Sequence, residues 1–184
     1  MPLNIRSSMR QIIYILAIFI SITACKSTKK TKTVNKKSAK TTKVTKAPID
    51  NRPVADIKVI NNIIQTAEKY NGVRYKYGGT TKKGMDCSGL ITTAFNSENI
   101  ALPRSTGNMA TTGNWVDVKE VQKGDLLFFA TSKNSRSVNH VGLVTDARPG
   151  FVEFIHSTTS AGVITSQLSE KYWYFAFVQA RRVL

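Results

Sequence analysis

The hydrophobic pattern changes near Gly124, and this change restricts the fold more than any other feature of the chain. Before it, apolar residues recur at helical spacing in a segment that follows Pro53 and in another that follows Asp86, a residue type that caps helix N-termini. After it, apolar runs separated at hairpin distances predict strands over residues 125–130, 140–145, 151–158, 162–168 and 174–183. Helices followed by closely spaced strands predict an α+β fold with an antiparallel sheet.

The N-terminus has the features of a secretion signal. Arg6 and Arg10 precede an apolar run over residues 11–24, which is shorter than the roughly 20 residues that span a bilayer. The run ends at Ala24-Cys25, which is similar to a bacterial lipobox. This similarity implies cleavage before Cys25 and lipidation of that residue, whereas the alternative is an ordinary signal followed by a coincidental cysteine. Lys26 stands where an aspartate is associated with inner-membrane retention, which favours the outer membrane, facing the periplasm.

The excess of positive charge lies in a segment that is not expected to fold. Residues 26–48 contain nine lysines and no acidic residue, whereas residues 49–184 contain 16 basic and 11 acidic side chains, a net charge of +5. A segment with so little to bury is expected to be a disordered tether with a reach of about 30 Å. It is either a solvated spacer or a surface for anionic lipid or cell-wall carboxylates. The chain charge of +16 therefore does not predict nucleic-acid binding.

Cys87 is the candidate nucleophile. The chain has two cysteines, and Cys25 is assigned to the lipid, which leaves Cys87 unpaired at a predicted helix start. The two histidines of the chain, His140 and His156, lie in predicted strands, and neighbouring strands can place both imidazoles on one face, opposite the cysteine. Thiol, base and orienting group are the parts of a nucleophilic triad. Each residue also has a structural alternative, since free cysteines and strand histidines are often simply buried.

The predicted position of Cys87 has a consequence for its reactivity. A helix N-terminus and a neighbouring imidazolium both favour the thiolate, so a catalytic Cys87 is expected to be alkylated well below pH 8.5. A buried structural thiol would stay inert. The sequence has no Cys/His metal spacing and no phosphate-binding glycine loop, and neither a metal nor a cofactor is expected.

Several motifs together resemble the NlpC-type cysteine peptidases, a papain-like group that cleaves peptidoglycan stem peptides. The motifs occur in the family order across residues 60–184. They are Gly72-Val73-Arg74-Tyr75, Gly78-Gly79, Asp86-Cys87-Ser88-Gly89-Leu90, Leu102-Pro103-Arg104-Ser105, Gly124-Asp125-Leu126-Leu127-Phe128-Phe129, Asn139-His140-Val141-Gly142 and Ile155-His156-Ser157. The resemblance implies a peptidase domain at residues 49–184, with N-terminal helices packed on an antiparallel sheet of five or six strands. One of these helices would carry the cysteine at its N-terminus.

The resemblance also implies roles for residues. Cys87 would be the nucleophile, His140 the base and His156 the group that orients it. Three further residues are expected near the substrate: Tyr75 in the cleft, Ser88 as a backbone oxyanion donor with Cys87, and Arg104 as a partner for a stem-peptide carboxylate. Core and surface packing are the respective alternatives for Tyr75 and Arg104. Asp86 is expected to cap the helix.

The implied activity is that of a lipid-anchored, monomeric murein endopeptidase. D-alanyl–diaminopimelate cross-links, γ-D-glutamyl–diaminopimelate bonds and LD-carboxypeptidase action stay open as alternatives, as does a wall-binding module without catalysis. Two segments depart from the family pattern, the polar loop at 131–139 and the connection at 146–150, and both are expected to flank the cleft.

Overall fold

The computed structural model describes residues 52–184. The predicted signal peptide, Cys25 and the tether at 25–48 lie outside the described residues. Within them, the chain forms a small β-hairpin and a six-stranded antiparallel sheet with helices, which confirms the α+β prediction. No helix among residues 52–184 has the length and hydropathy needed to cross a bilayer.

The elements follow one another in a simple order. They are α1 (Val54–Glu68), β1 (Thr80–Thr81), β2 (Gly84–Met85), α2 (Cys87–Asn96), α3 (Thr106–Met109), β3 (Asn114–Val116), a 3-10 turn (Val118–Glu120), β4 (Leu126–Phe129), β5 (His140–Arg148), β6 (Phe151–Thr158), β7 (Gly162–Gln167), α4 (Lys171–Ala176) and β8 (Phe177–Arg182). The strand order in the large sheet is β3-β8-β4-β5-β6-β7.

The two long helices form where the sequence predicts them. Helix α1 buries Ile60, Ile63 and Ile64, which recur at helical spacing on the side that packs against α2. Helix α2 begins directly after Asp86, whose carboxylate accepts a hydrogen bond from the Gly89 N–H at 2.6 Å. The apolar stripe of α2 packs on β5 and β6.

The sheet separates two cores. On the side of α1 and α2, Leu143 and Ile155 belong to a cluster that also contains the stripe of α2 and Cys87. On the other side, Phe129, Phe154 and Trp173 belong to a second cluster, which α4 covers. Strand β4 is buried along its whole length because its residues contribute alternately to both cores.

The prediction of a strand over residues 174–183 is wrong in its first part. Residues 171–176 form helix α4, and β8 begins only at Phe177. The aromatic run resembles a strand, but Trp173 and Ala176 are its buried residues, and this spacing of three places both on one helix face. Strands β1, β2 and β3 and helix α3 were not predicted, because segments of two to four residues carry no readable periodicity.

The connection at 146–150 does not flank the cleft, contrary to the prediction. Strand β5 continues to Arg148, and Pro149-Gly150 forms the tight turn to β6, with Gly150 at a φ of +78°. His140 is the first residue of β5, so the turn lies eight residues away, about 26 Å along the strand. The loop at 131–139 does border the cleft through Thr131 and Asn139.

Candidate active site

Cys87 is the first residue of α2, and the residue is 8% exposed. Its side-chain partner is the Thr106 hydroxyl, with 3.8 Å between Sγ and Oγ1. Thr106 is positioned by α3, whose N-cap Ser105 accepts a hydrogen bond from the Asn108 N–H. The first residues of α2 and α3 thus contact each other through the sulfur of Cys87.

A polar network fixes the chain on the other side of the thiol. The Asp86 carboxylate accepts hydrogen bonds from the N–H groups of Gly89 and Gly78, at 2.6 and 2.7 Å. Arg104 donates to Asp86 at 2.7 Å and to the Ser88 hydroxyl at 2.6 Å. Burial acts to raise the pKa of Asp86, but the bonds from Arg104 and the two glycine N–H groups outweigh it and hold that pKa below its ordinary value. Asp86 is therefore the ionised cap of α2, as predicted.

The close approach of residues 78–79, just before β1, to α2 depends on Gly89. A Cβ atom at this position would overlap the carbonyl oxygen of Gly79 and stand 2.9 Å from Oδ1 of Asp86. Gly89, two residues after Cys87, therefore lets the segment just before β1, which contains Gly78, reach the cap carboxylate.

The two histidines form a buried hydrogen-bonded pair. Nε2 of His140 lies 2.9 Å from Nδ1 of His156, and Nε2 of His156 lies 3.1 Å from the Ser166 hydroxyl. Trp173 covers both rings: its ring stacks on His140 with centroids 5.3 Å apart and meets His156 edge-on at 4.6 Å. The pair uses Nε2 of His140 and leaves its Nδ1, and His140 lines the same concavity as Cys87.

Burial sets the charge of both imidazoles. It lowers the pKa of His140 to about 4. It lowers the pKa of His156 to about 3, with a smaller contribution from the neighbouring His140. Both rings are therefore neutral at neutral pH, and each carries one N–H.

The pKa of the Cys87 thiol is raised, contrary to the prediction. Burial is the largest cause, and it outweighs the Thr106 hydroxyl and the backbone groups of Val141 and Ser88, which lower the pKa. The predicted imidazolium partner is also missing, because the buried imidazoles are neutral. Alkylation well below pH 8.5 is therefore no longer the expected mark of a catalytic thiol in this chain.

The cleft consists of two concavities that meet at the thiol. Tyr75, Cys87 and Asn139 line both of them. One, of about 430 Å³, continues past Ser88 and Arg104. The other, of about 550 Å³, continues past His140 to Trp173 and contains Glu170 and several hydroxyl groups. An extended peptide could therefore pass the sulfur and occupy both sides.

The comparison with known families decides what kind of chain this is. The family model of the NlpC/P60 family matches residues 72–182, which contain the thiol, both histidines and the whole sheet. The chain belongs to the NlpC/P60 family. It is a cysteine peptidase, as the sequence resemblance implied.

Curated and solved NlpC/P60 proteins agree with this assignment. The chain is 37% identical to the "Probable endopeptidase NlpC" of Escherichia coli, over 75% of this chain and 88% of the relative. It is 33% identical to the "Murein DD-endopeptidase MepS/Murein LD-carboxypeptidase" of the same species, over 92% of this chain and 89% of the relative. An NlpC/P60 family protein from Bacillus cereus has a similar crystal structure, with a TM-score of 0.61 and 32% identity over 68% of this chain and 40% of that one.

The NlpC/P60 fold brings the predicted residues together in an unexpected way. The sequence predicts the thiol opposite the sheet face that carries the imidazoles. Instead, α2 packs on the other face, and Cys87 belongs to the helix-side core while the imidazoles pack with Phe129, Phe154 and Trp173. The groups meet at the end of the sheet, where β5 begins with His140.

The remaining predicted residues also line the cleft. Tyr75 is half-buried there, and its pKa is raised, mainly by burial and also by Cys87 and Asp86, so that it is a neutral phenol. Arg104 is fastened to Asp86 and Ser88 rather than free on the surface, although 43% of its side chain is exposed. Within residues 52–184, no group of three or more His, Cys, Asp or Glu side chains is arranged to hold a metal ion.

Sequence reasoning missed Thr106, Asn139, Ser166 and Trp173. Asn139 directly precedes His140 in the motif Asn139-His140-Val141-Gly142, so its position next to a catalytic candidate was a usable signal. The others reach the site from α3, β7 and α4, and no local pattern marks them.

Proposed function

We propose that the protein is a peptidoglycan hydrolase, a cysteine endopeptidase that cleaves amide bonds in stem peptides or their cross-links. The observation that carries the proposal is the buried thiol at the start of α2, which shares one cleft with His140, the residue that is hydrogen-bonded to the buried His156. The relatives named as murein or probable endopeptidases support peptidoglycan as the substrate.

In the first half of the reaction, His140 is the base and Cys87 the nucleophile. Nδ1 of His140 takes the thiol proton, while the sulfur bonds to the amide carbon and its carbonyl oxygen becomes an oxyanion. Among residues 52–184, Sγ has no hydrogen bond to either imidazole, and the bond to Nδ1 of His140 would form when substrate binds. Because thiol and imidazole start neutral, the proton moves during the attack and not before it.

The surroundings of the thiol suit the charge that then develops. The Cys87 and Ser88 N–H groups at the start of α2 are the proposed oxyanion donors, and the neutral phenol of Tyr75 can add a third. His140, now an imidazolium, gives its proton to the leaving amine. The acyl group stays on Cys87 as a thioester until water, activated by His140, releases it.

Arg104 is proposed to bind a carboxylate of the stem peptide. Asp86 and Ser88 hold its guanidinium at the edge of the cleft, which fixes the direction of the remaining N–H groups. The partial neutralisation by Asp86 favours a directional contact over a purely electrostatic one.

The bond that is cleaved is proposed from the relatives. The similarity to the enzyme named MepS favours the D-alanyl–diaminopimelate cross-link. The γ-D-glutamyl–diaminopimelate bond and the LD-carboxypeptidase reaction are the alternatives, and each releases muropeptides of a different mass.

Residues outside the described range add a proposal on location. Lipidation of Cys25 would anchor the protein in the cell envelope, with residues 26–48 as a tether to the outer membrane. Labelling cells with an alkyne fatty acid should mark the wild type and not the Cys25→Ser variant. Equal labelling of both would contradict the anchor.

Incubation of purified protein with peptidoglycan sacculi tests the activity. Mass spectrometry of the soluble products should show new muropeptides with the wild type and none with Cys87→Ala. A comparison of the two urea-unfolding curves controls for folding of the variant. Sacculus binding by the wild type without any product would instead support the wall-binding module.

A further inference from the structure

We propose that Ser166 is a fourth member of the relay, a positioning residue whose hydroxyl accepts the His156 Nε2–H and thereby keeps His140 in the tautomer that can take the thiol proton. This inference rests on the proposed roles of Cys87 and His140. It is carried by the continuous chain of contacts from His140 through His156 to Ser166, at 2.9 and 3.1 Å.

The bond between the two imidazoles can run in two directions. A neutral ring has one N–H donor and one bare acceptor nitrogen. If His140 donates from Nε2, its Nδ1 is bare and can serve as the base for Cys87, which lines the same concavity. If His156 donates from Nδ1, the hydrogen of His140 sits on Nδ1, and that ring can no longer accept a proton from Cys87. The tautomers of the two histidines are therefore coupled.

Ser166 has a different effect on the two arrangements. In the productive one, His156 carries its hydrogen on Nε2, and this N–H points at the Ser166 hydroxyl in a fully buried position. Without the hydroxyl, this donor would be buried and unsatisfied, which is costly. In the unproductive arrangement the same nitrogen is a bare acceptor, and an unmet acceptor is tolerated better than an unmet N–H.

The role of Ser166 increases during the reaction. When the Cys87 proton arrives on Nδ1, His140 has hydrogens on both nitrogens and must donate from Nε2 to His156. His156 then has Nε2–H as its only hydrogen, and Ser166 is the acceptor for it. Sγ keeps the electron pair of the broken S–H bond and uses it to attack the carbonyl carbon, so the proton stops at His140 and the rest of the relay only orients it.

Strand pairing places Ser166 on the same sheet face as His156. Ser166 pairs with Phe154 across β6 and β7, so its side chain shares the sheet face of Phe154 and His156. The residue is 7% exposed and lines the larger concavity of the cleft. Its hydroxyl hydrogen is free to turn away from the histidine while the oxygen accepts.

Nitrogen NMR of the full protein with ¹⁵N-labelled histidine tests the inference, and the spectra are simple because the chain has two histidines. In the wild type, Nε2 of both rings should carry hydrogen. In Ser166→Ala, hydrogen should shift toward Nδ1 in both rings, and kcat/KM for release of muropeptides from sacculi should fall by about tenfold to a hundredfold. Ser166→Thr keeps the hydroxyl and should restore both readouts.

Ser157→Ala is the matched control for the loss of a buried hydroxyl. Ser157 is fully buried one residue after His156 and donates to the Met85 carbonyl at 2.7 Å instead of a histidine. Its removal should lower the free energy of unfolding and leave the tautomers of both rings unchanged.

Two results would overturn the role of Ser166. They are wild-type tautomers in Ser166→Ala, or a Ser166→Thr variant that folds but keeps the tautomers of the alanine variant. A wild type that releases nothing from sacculi would refute the proposed function alone, since the NMR signals do not depend on a substrate.

Discussion

The two buried histidines should make the stability of the domain depend on pH between 7.5 and 5. Burial lowers the pKa of His140 to about 4 and that of His156 to about 3, from an ordinary value of 6.5 in an unfolded chain. Below pH 6.5 the unfolded chain therefore binds protons that the folded chain rejects. The stability that comes from the two neutral histidines is present above pH 6.5 and is lost as the pH falls toward their folded-state pKa values.

The size of the effect follows from these values. A solution pH of 5.0 is about 1.5 units below the pKa of each histidine in the unfolded chain, and each unit corresponds to about 1.4 kcal/mol. The two groups together should lower the free energy of unfolding by about 4 kcal/mol relative to pH 7.5, out of roughly 5–15 kcal/mol for a typical domain. The lowered pKa of Asp86 acts only below its ordinary value of 3.8 and so does not contribute in this window.

Urea unfolding followed by tryptophan fluorescence at pH 7.5 and 5.0 measures this difference. The wild type should lose about 4 kcal/mol between the two pH values, His156→Gln about 2 kcal/mol, and the double variant with His140→Gln much less. The comparison uses the change with pH within each variant, so an overall loss of stability does not disturb it. A wild type with equal stability at both pH values would refute the reasoning, as would a double variant with the wild-type difference.

Three other predictions concern the surroundings of the thiol. Gly89→Ala should destabilise the domain by about 1–3 kcal/mol in urea unfolding, because overlap with the Gly79 carbonyl outweighs the gain of about 1 kcal/mol in helix propensity. The control Gly107→Ala in α3, where a Cβ would meet open space, should be neutral or stabilising. Equal effects of the two substitutions would contradict the steric argument. Trp173→Leu should let water reach both imidazoles and raise their pKa values toward 6.5, so that the acid limb of the kcat/KM profile moves to higher pH. An acid limb at the wild-type pH would contradict burial as the cause of the lowered pKa values. The rate at which iodoacetamide alkylates Cys87 should keep rising with pH to above pH 8.5. Thr106→Val should move the midpoint of this pH–rate curve to higher pH, whereas Thr106→Ser should leave it in place. A rate that is already constant at pH 7 would show a lowered thiol pKa instead.

The sequence predicts the parts of this domain that depend on local patterns. Helix α2 and its cap follow from Asp86 and an apolar stripe within ten residues. The apolar runs at 140–145 and 151–158 predict β5 and β6, although β5 continues three residues further, to Arg148. Helix α4 was not predicted because four consecutive aromatic residues suit a strand as well as a helix. Tertiary packing decides between the two by burying Trp173.

The charges of the site could not be predicted from the sequence, for a related reason. The helix start at Cys87 suggests a thiolate, and this inference uses only local information. The opposing effect, desolvation, comes from tertiary packing. Trp173 of α4 packs on both imidazoles, and Cys87 belongs to the core on the side of α1 and α2. Residue identity and order were therefore sufficient to find Cys87, His140 and His156, but not their protonation states.

The acyl-thioester on Cys87 is the most direct test of the proposed mechanism. Protein mixed with soluble cross-linked muropeptides, quenched in acid within the first turnover and digested, should show by mass spectrometry a peptide containing Cys87 with the added mass of the acyl fragment. The same peptide from His140→Ala should carry little or no adduct. Release of products at the wild-type rate by Cys87→Ala, or an adduct on any other residue, would contradict the account.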